Sequence, residues 1–245
     1  MASSVVIFRV IQPLSTVESH RCDALNFDLH GVEVRRGVLG AADVGAIASE
    51  VSLDSEELVR HGVRDLGRVF PALARLSMDS RMVALAGRYL KGCPRFVRVL
   101  FFDKTLLRNW GVPWHQDHTV TVDQRADMEG WHSWRRRGEV WHVRPPCEVL
   151  SQMVAIRVHL DPAGESNGCL QVIPGTHRLG ILGAGELEKV VACSGPLSCV
   201  VDAGDAVIMR PHVVHSSDRS AGSGHRRVVH LEYSSHRLPG AVRWA

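Results

Sequence analysis

From residue 96 onward the chain is a series of short apolar runs separated by Gly and Pro, and this punctuation limits the fold most. The runs at 96–102, 152–159, 169–173, 197–201, 206–209 and 227–233 are rich in β-branched and aromatic residues. They are too short and too regularly interrupted for a helical bundle. Many short strands joined by such turns build a β-sandwich, a jelly roll or a barrel. Residues from about 41 to 92 read instead as helical. The stretch 42–51 holds good helix formers, Ser55 precedes Glu56 and Glu57, Pro71 suits a first helical turn, and Ser80 is a cap candidate. Residues 5–11 read as one further strand. Residues 123–147, with Trp131, Trp134, Trp141, the run Arg135-Arg136-Arg137 and Pro145-Pro146, read as a long loop. The expected fold class is mainly β with flanking α-helices. We expect one domain over 1–245, with the helical part at about 41–92 and the β core at about 96–235.

Composition removes several classes of function. A 245-residue chain that is 45% hydrophobic and 22% charged is not disordered. A net charge of +3 gives no electrostatic footprint for nucleic acid, so none is expected as a partner. No run approaches the roughly 20 apolar residues of a membrane span. The apolar stretch 5–14 is interrupted by Arg9 and Gln12, lacks a preceding basic residue, and makes a poor signal peptide. Six cysteines without a CxxC pair fit reduced thiols, so a cytoplasmic location is expected. Fourteen histidines direct attention to metal chemistry. Oligomeric state stays open.

The sharpest local feature is Trp114-His115-Gln116-Asp117-His118. On a strand, residues i and i+2 share a face, so His115 and Asp117 present an imidazole and a carboxylate side by side. One more histidine completes two imidazoles and a carboxylate on one face of a metal, the set used by non-haem Fe(II) oxygenases. A second triplet, His159-Leu160-Asp161, has the same spacing and ends a strand before Pro162. On a late strand His212 and His215 are both available. They are three apart and so face opposite ways. Arg226 follows His215, and its planar fork suits the distal carboxylate of a metal-chelating dicarboxylate, with the Ser217 hydroxyl beside it.

Three blocks carry a family resemblance: Val112-Pro113-Trp114-His115-Gln116-Asp117, Asn167-Gly168-Cys169-Leu170-Gln171-Val172-Ile173-Pro174-Gly175-Thr176-His177, and His215-Ser216-Ser217 followed by Arg226. In order and spacing, over about 96–233, the chain resembles the phytanoyl-CoA dioxygenase family of Fe(II)/2-oxoglutarate oxygenases. The resemblance implies a double-stranded β-helix (a jelly roll, cupin-like) and an enzyme using Fe(II), 2-oxoglutarate and O2 on a small-molecule substrate. It implies His115, Asp117 and His215 as iron ligands, and Arg226 with Ser217 as the cosubstrate anchor. It displaces His159 and Asp161 from the metal. Family substrates include acyl-CoA thioesters, amino acids, phosphonates and secondary metabolites; the size and weak charge of this chain favour a compact metabolite. A carboxylate at 117, where related halogenases carry a small residue, favours hydroxylation, with succinate and CO2 as co-products. The alternative is a non-catalytic metal- and 2-oxoglutarate-binding jelly roll.

Softer assignments complete the expectation. Gln152 is placed among the cosubstrate contacts. Arg157, Asn109, Lys104, Trp114 and His118 are placed at the substrate pocket, and Trp110, Trp131, Trp134 and Trp141 are candidates for its wall, with His132 and His142 near it. Arg227 should point away from Arg226.

Overall fold

Successive residues of a strand face opposite sides, and in this protein each side of the central strands meets a different layer. The computed structural model describes residues 24–52 and 70–245. Strands β1 (Val32–Arg35), β2 (Arg95–Lys104), β7 (Met153–His159), β10 (Ala206–Met209) and β12 (Arg226–Ser234) form an antiparallel sheet in the order β1-β10-β7-β12-β2. A second sheet, β3-β11-β8-β9, is built from β3 (Val112–His115), β8 (Leu170–Ile173), β9 (Leu197–Cys199) and β11 (Val214–Ser217). Together the two sheets make the jelly roll, and their spatial order, far from sequence order, is why the hydrophobic pattern alone could not choose between sandwich and barrel.

In β7 the side chains of Val154, Ile156 and Val158 face outward. They join Val99, Phe101, Val229, Leu231 and Tyr233 in a cluster covered by helices α2 (Ala41–Ser52), α3 (Pro71–Met78) and α4 (Ser80–Gly87) through Val44, Leu73, Leu76 and Met82. Helix α1 (Phe27–His30) precedes β1 and adds Phe27 to this cluster. The intervening residues face the other sheet. Ala155, Val207 and Met209 pack there on Leu170, Val172 and Cys199. β7 is therefore buried along its whole length, which explains its nearly unbroken apolar sequence.

Several expectations change. Helix α4 is capped by Asp79, whose carboxylate accepts from the Arg81 backbone N–H at 2.8 Å, and Ser80 is its first residue. The region 123–147 is not a bare loop. β5 (His132–Arg137) and β6 (Val140–Arg144) form a hairpin that pairs with β4 (Val120–Val122). Gly138, at φ +60°, supplies the left-handed turn residue. Trp131, Trp134 and Trp141 pack beneath this sheet with Val97, Val120 and Val143. Between β6 and β7 lies α5 (Cys147–Ser151), and α6 (Ala184–Cys193) follows β8; neither was read from the sequence, nor were β1 and β4. The expected strand at 5–11 and the Ser55 cap lie outside the described residues.

Candidate active site

The two sheets enclose a cavity, and among the described residues two groups of metal-capable side chains share Asp117 at its edge: His115, Asp117 and His215, and Asp117 with His230 and Glu232. His115 on β3 and His215 on β11 are direct cross-strand partners, with ring centroids 4.1 Å apart. Each ring is pinned by its own backbone: Nδ1–H of His115 donates to the Pro113 carbonyl at 2.8 Å, and Nδ1–H of His215 to the Val213 carbonyl at 2.9 Å. A carbonyl only accepts, so both protons sit on Nδ1 and both Nε2 lone pairs stay free. β3 ends at His115, so Asp117 does not share a strand with it. The chain is turned by Gln116 instead. The Gln116 amide donates to the Gly180 and His212 carbonyls at 2.8 Å each and accepts from Leu182 N–H at 2.9 Å. The Asp117 N–H donates to the Pro211 carbonyl at 2.9 Å. The Asp117 carboxylate thereby lies 3.8 Å from Nε2 of both His115 and His215.

These three ligand atoms lie within 4.8 Å of one another. Burial pushes His215 down to about 3, so its imidazole is neutral. For Asp117, burial opposes ionisation, but His215, His230, His115 and Arg98 outweigh it and hold the carboxyl well below its usual range. A neutral imidazole and a carboxylate are the forms that bind metal, and two histidines with one carboxylate match the facial set of iron(II).

The opposite end of the cavity is cationic. Arg226 and Lys104 are register partners on β12 and β2, and both are buried. Lys104 Nζ donates to Ser217 Oγ at 2.8 Å and to the Asp218 carbonyl at 2.5 Å, and Ser217 Oγ donates to the Gly168 carbonyl at 2.9 Å. Gly168 has no alternative here: at φ +70° a Cβ would stand 2.2 Å from the Asp218 carbonyl oxygen. Arg226 is only 2% exposed, yet its Nε and Nη1 have no hydrogen-bond partner. Burial and Arg157 push it down to about 10; burial, Arg226 and Arg157 push Lys104 down to about 7. Such a cradle of buried positive charge without a carboxylate is costly unless an anion enters it, which fits a dicarboxylate.

The other expected site residues divide. Lys104, Arg157 and Trp110 line the cavity with Leu100, Phe102, Val112 and Leu170. Gln152 does not: it caps α5 at the surface and bonds to the Glu148 carbonyl and to His236. It stands just before β7 begins and is not part of that strand. Trp114 faces away from the cavity and packs with Ile173, Val190 and Val214. Asn109 exchanges two hydrogen bonds with the Ser220 backbone, clasping the β2–β3 connection. His118 donates to Gln116 at 3.2 Å and is not among the cavity residues. Trp131, Trp134, Trp141 and buried His142 belong to the hairpin sheet, and His132 bonds to Ser133 on it. His212 lies beside Cys147, away from the cavity. Asp161 is taken by Arg227, which points to the side opposite Arg226.

Sequence reasoning passed over Arg98, His230 and Glu232. Arg98 Nη2 donates to Glu232 at 2.7 Å, and His230 Nε2 bonds to the same oxygen at 3.1 Å. No local pattern marked them: on the even positions of 98–104 and 226–232, Arg98, Lys104, Arg226, His230 and Glu232 are mixed with apolar Leu100, Phe102 and Val228.

A family model described as Phytanoyl-CoA dioxygenase (PhyH) matches residues 5–228. No curated protein matches the sequence. Among solved structures, AviO1 from Streptomyces viridochromogenes Tue57 is 23% identical, with 88% of this chain and 94% of that one covered at a TM-score of 0.63. HygX from Streptomyces hygroscopicus with iron bound is 19% identical, over 86% and 85%, at 0.62. The carbocyclase SnoK from nogalamycin biosynthesis is 15% identical, over 92% and 91%, at 0.65. HygX is also solved with nickel, 2-oxoglutarate and hygromycin B. At these identities the likenesses bear on the fold.

Proposed function

The chain belongs to the phytanoyl-CoA dioxygenase family of non-haem iron, 2-oxoglutarate-dependent oxygenases, and on that premise we propose that it hydroxylates a small organic metabolite, with succinate and CO2 as co-products. In this reading His115 and His215 hold iron through Nε2, Asp117 supplies the carboxylate, and Arg226 binds the distal carboxylate of 2-oxoglutarate. With that cosubstrate bound, the iron supplies the activation of O2. The protein's own part is positional. The Nδ1–carbonyl bonds of the two histidines fix the ligand directions. Lys104 and Ser217 brace the strand ends beside Arg226. Leu100, Phe102, Val112 and Leu170 keep water from the reacting centre.

One observation carries the reading: a buried guanidinium whose Nε and Nη1 have no partner among the described residues shares a cavity with a facial ligand set. The hydroxylation outcome draws on the carboxylate at 117. The small-molecule substrate draws support from HygX, which is solved with hygromycin B. The first step of the test needs no substrate. Under anaerobic conditions Fe(II) and then 2-oxoglutarate are added to metal-free protein, and the weak visible charge-transfer band of the chelate is followed; O2 is then admitted and succinate measured. A band followed by succinate above the protein-free control supports the reading. A band without succinate during a substrate screen favours the non-catalytic alternative, and folded, iron-loaded protein without a band overturns the cosubstrate assignment.

A further inference from the structure

We propose that Arg157 is a second anchor for the cosubstrate, holding the carboxylate next to the 2-oxo group, at the metal end of the molecule. The inference rests on the reading above and adds a residue to it. Arg157 projects from β7 into the cavity and is 7% exposed. Its Nη1 bonds to His230 Nδ1 at 2.8 Å, its Nε has no partner, and its guanidinium lies 5.4 Å from the Phe102 ring centroid. An arginine cannot discharge itself by losing a proton. Left dry and unpaired, it needs an anion.

Among the described residues no carboxylate fills that need. Glu232 is paired with Arg98, and Asp117 lies between His115 and His215. Arg226 already faces one end of the expected dianion. Arg157 is the cross-strand partner of His230, which stands four residues along β12 from Arg226 and has a ring nitrogen within 4.8 Å of an Asp117 carboxylate oxygen. Arg157 thus stands between the anchor and the metal ligands, alongside any molecule that joins them.

The guanidinium is also aimed. Arginine only donates, so His230 Nδ1 accepts, and the His230 proton sits on Nε2, where it is donated to Glu232. Arg98 holds Glu232 from β2. Three adjacent strands therefore contribute one directional chain, Arg98–Glu232–His230–Arg157, and His230 and Glu232 are its positioning residues.

The test compares ligands that differ at one end. Affinities of 2-oxoglutarate and 2-oxobutanoate, which lacks the distal carboxylate, are measured by calorimetry on anaerobic Fe(II)-loaded protein. The wild type is compared with Arg157→Met, Arg157→Lys, Arg226→Met and His230→Leu, with thermal unfolding as the check on folding. Arg157→Met should weaken both ligands by the same factor, roughly 10- to 100-fold. Arg226→Met should weaken 2-oxoglutarate and leave 2-oxobutanoate unchanged. His230→Leu should weaken both by a smaller common factor at unchanged iron affinity, which a merely structural histidine would not do. Should Arg157→Met fail to fold, Arg157→Lys, which keeps the charge and loses the fork, carries the same comparison. An Arg157 penalty that vanishes with 2-oxobutanoate, or the absence of any penalty, overturns the proposal; the latter result would assign Arg157 to the substrate. A wild type that binds neither acid overturns the functional reading itself.

Discussion

The chain carries two His-x-Asp triplets with the same spacing and opposite fates. His115-Gln116-Asp117 closes β3, and His159-Leu160-Asp161 closes β7. In the first, Gln116 ties down the turn and leaves the Asp117 carboxylate between two imidazoles. In the second, Asp161 accepts from the backbone N–H, Nε and Nη2 of Arg227 at 2.7–2.8 Å. His159 stays behind, buried, with neither ring nitrogen hydrogen-bonded. The difference is one of prior claims. A carboxylate held by an arginine fork is lost to a metal, whatever the spacing of its histidine.

The strongest way to break this contrast is Asp117→Ala. Iron affinity should fall at least roughly 100-fold, since losing a ligand costs more than the 10- to 100-fold of losing its support; competition against a chelator reads it, and wild-type affinity would end the distinction between the triplets. Asp161→Ala should do the reverse. Iron binding should persist while urea denaturation reports a loss of about 2 kcal/mol, because the part-buried Arg227 loses its carboxylate partner. Loss of iron here would reinstate the second triplet. The smallest effect sharpens the comparison. Burial, with Arg157 and Arg226 nearby, holds the His159 imidazole neutral far below its ordinary range. The unfolded chain takes up that proton below about pH 6.5, so stability is lost as pH falls through that value. His159→Val should gain about 1 kcal/mol by removing an unsatisfied buried polar group and should flatten the acid limb of the stability curve. An unchanged acid limb would mean that His159 is not the group responsible.

What could be read in advance followed from chemistry that has few substitutes. His115, Asp117, His215, Ser217 and Arg226 stand in the order and spacing that carry the family resemblance, even though β3 ends before Asp117. The strands at 96–102, 206–209 and 227–233 were visible because β-branched residues gather there. The hairpin of β5 and β6 was hidden because Arg135-Arg136-Arg137 breaks the alternation that marks a strand; its exposed face needs no apolar residues, and its tryptophans pack on only one side. Trp114 was misplaced through neglect of parity, since a residue beside His115 on a strand must face the other way. Gln152 failed for a related reason, as β7 starts one residue later. Arg98, His230 and Glu232 required the register of β2 on β12, a pairing between residues more than a hundred positions apart that no local pattern contains.

The two histidines of the first triplet's site are unequal in one further respect. The His215 side chain is 5% exposed and the His115 side chain 36%. With iron held as proposed, His115 would be the ligand that solvent or a chelator meets first, while His215 would stay shielded between the sheets.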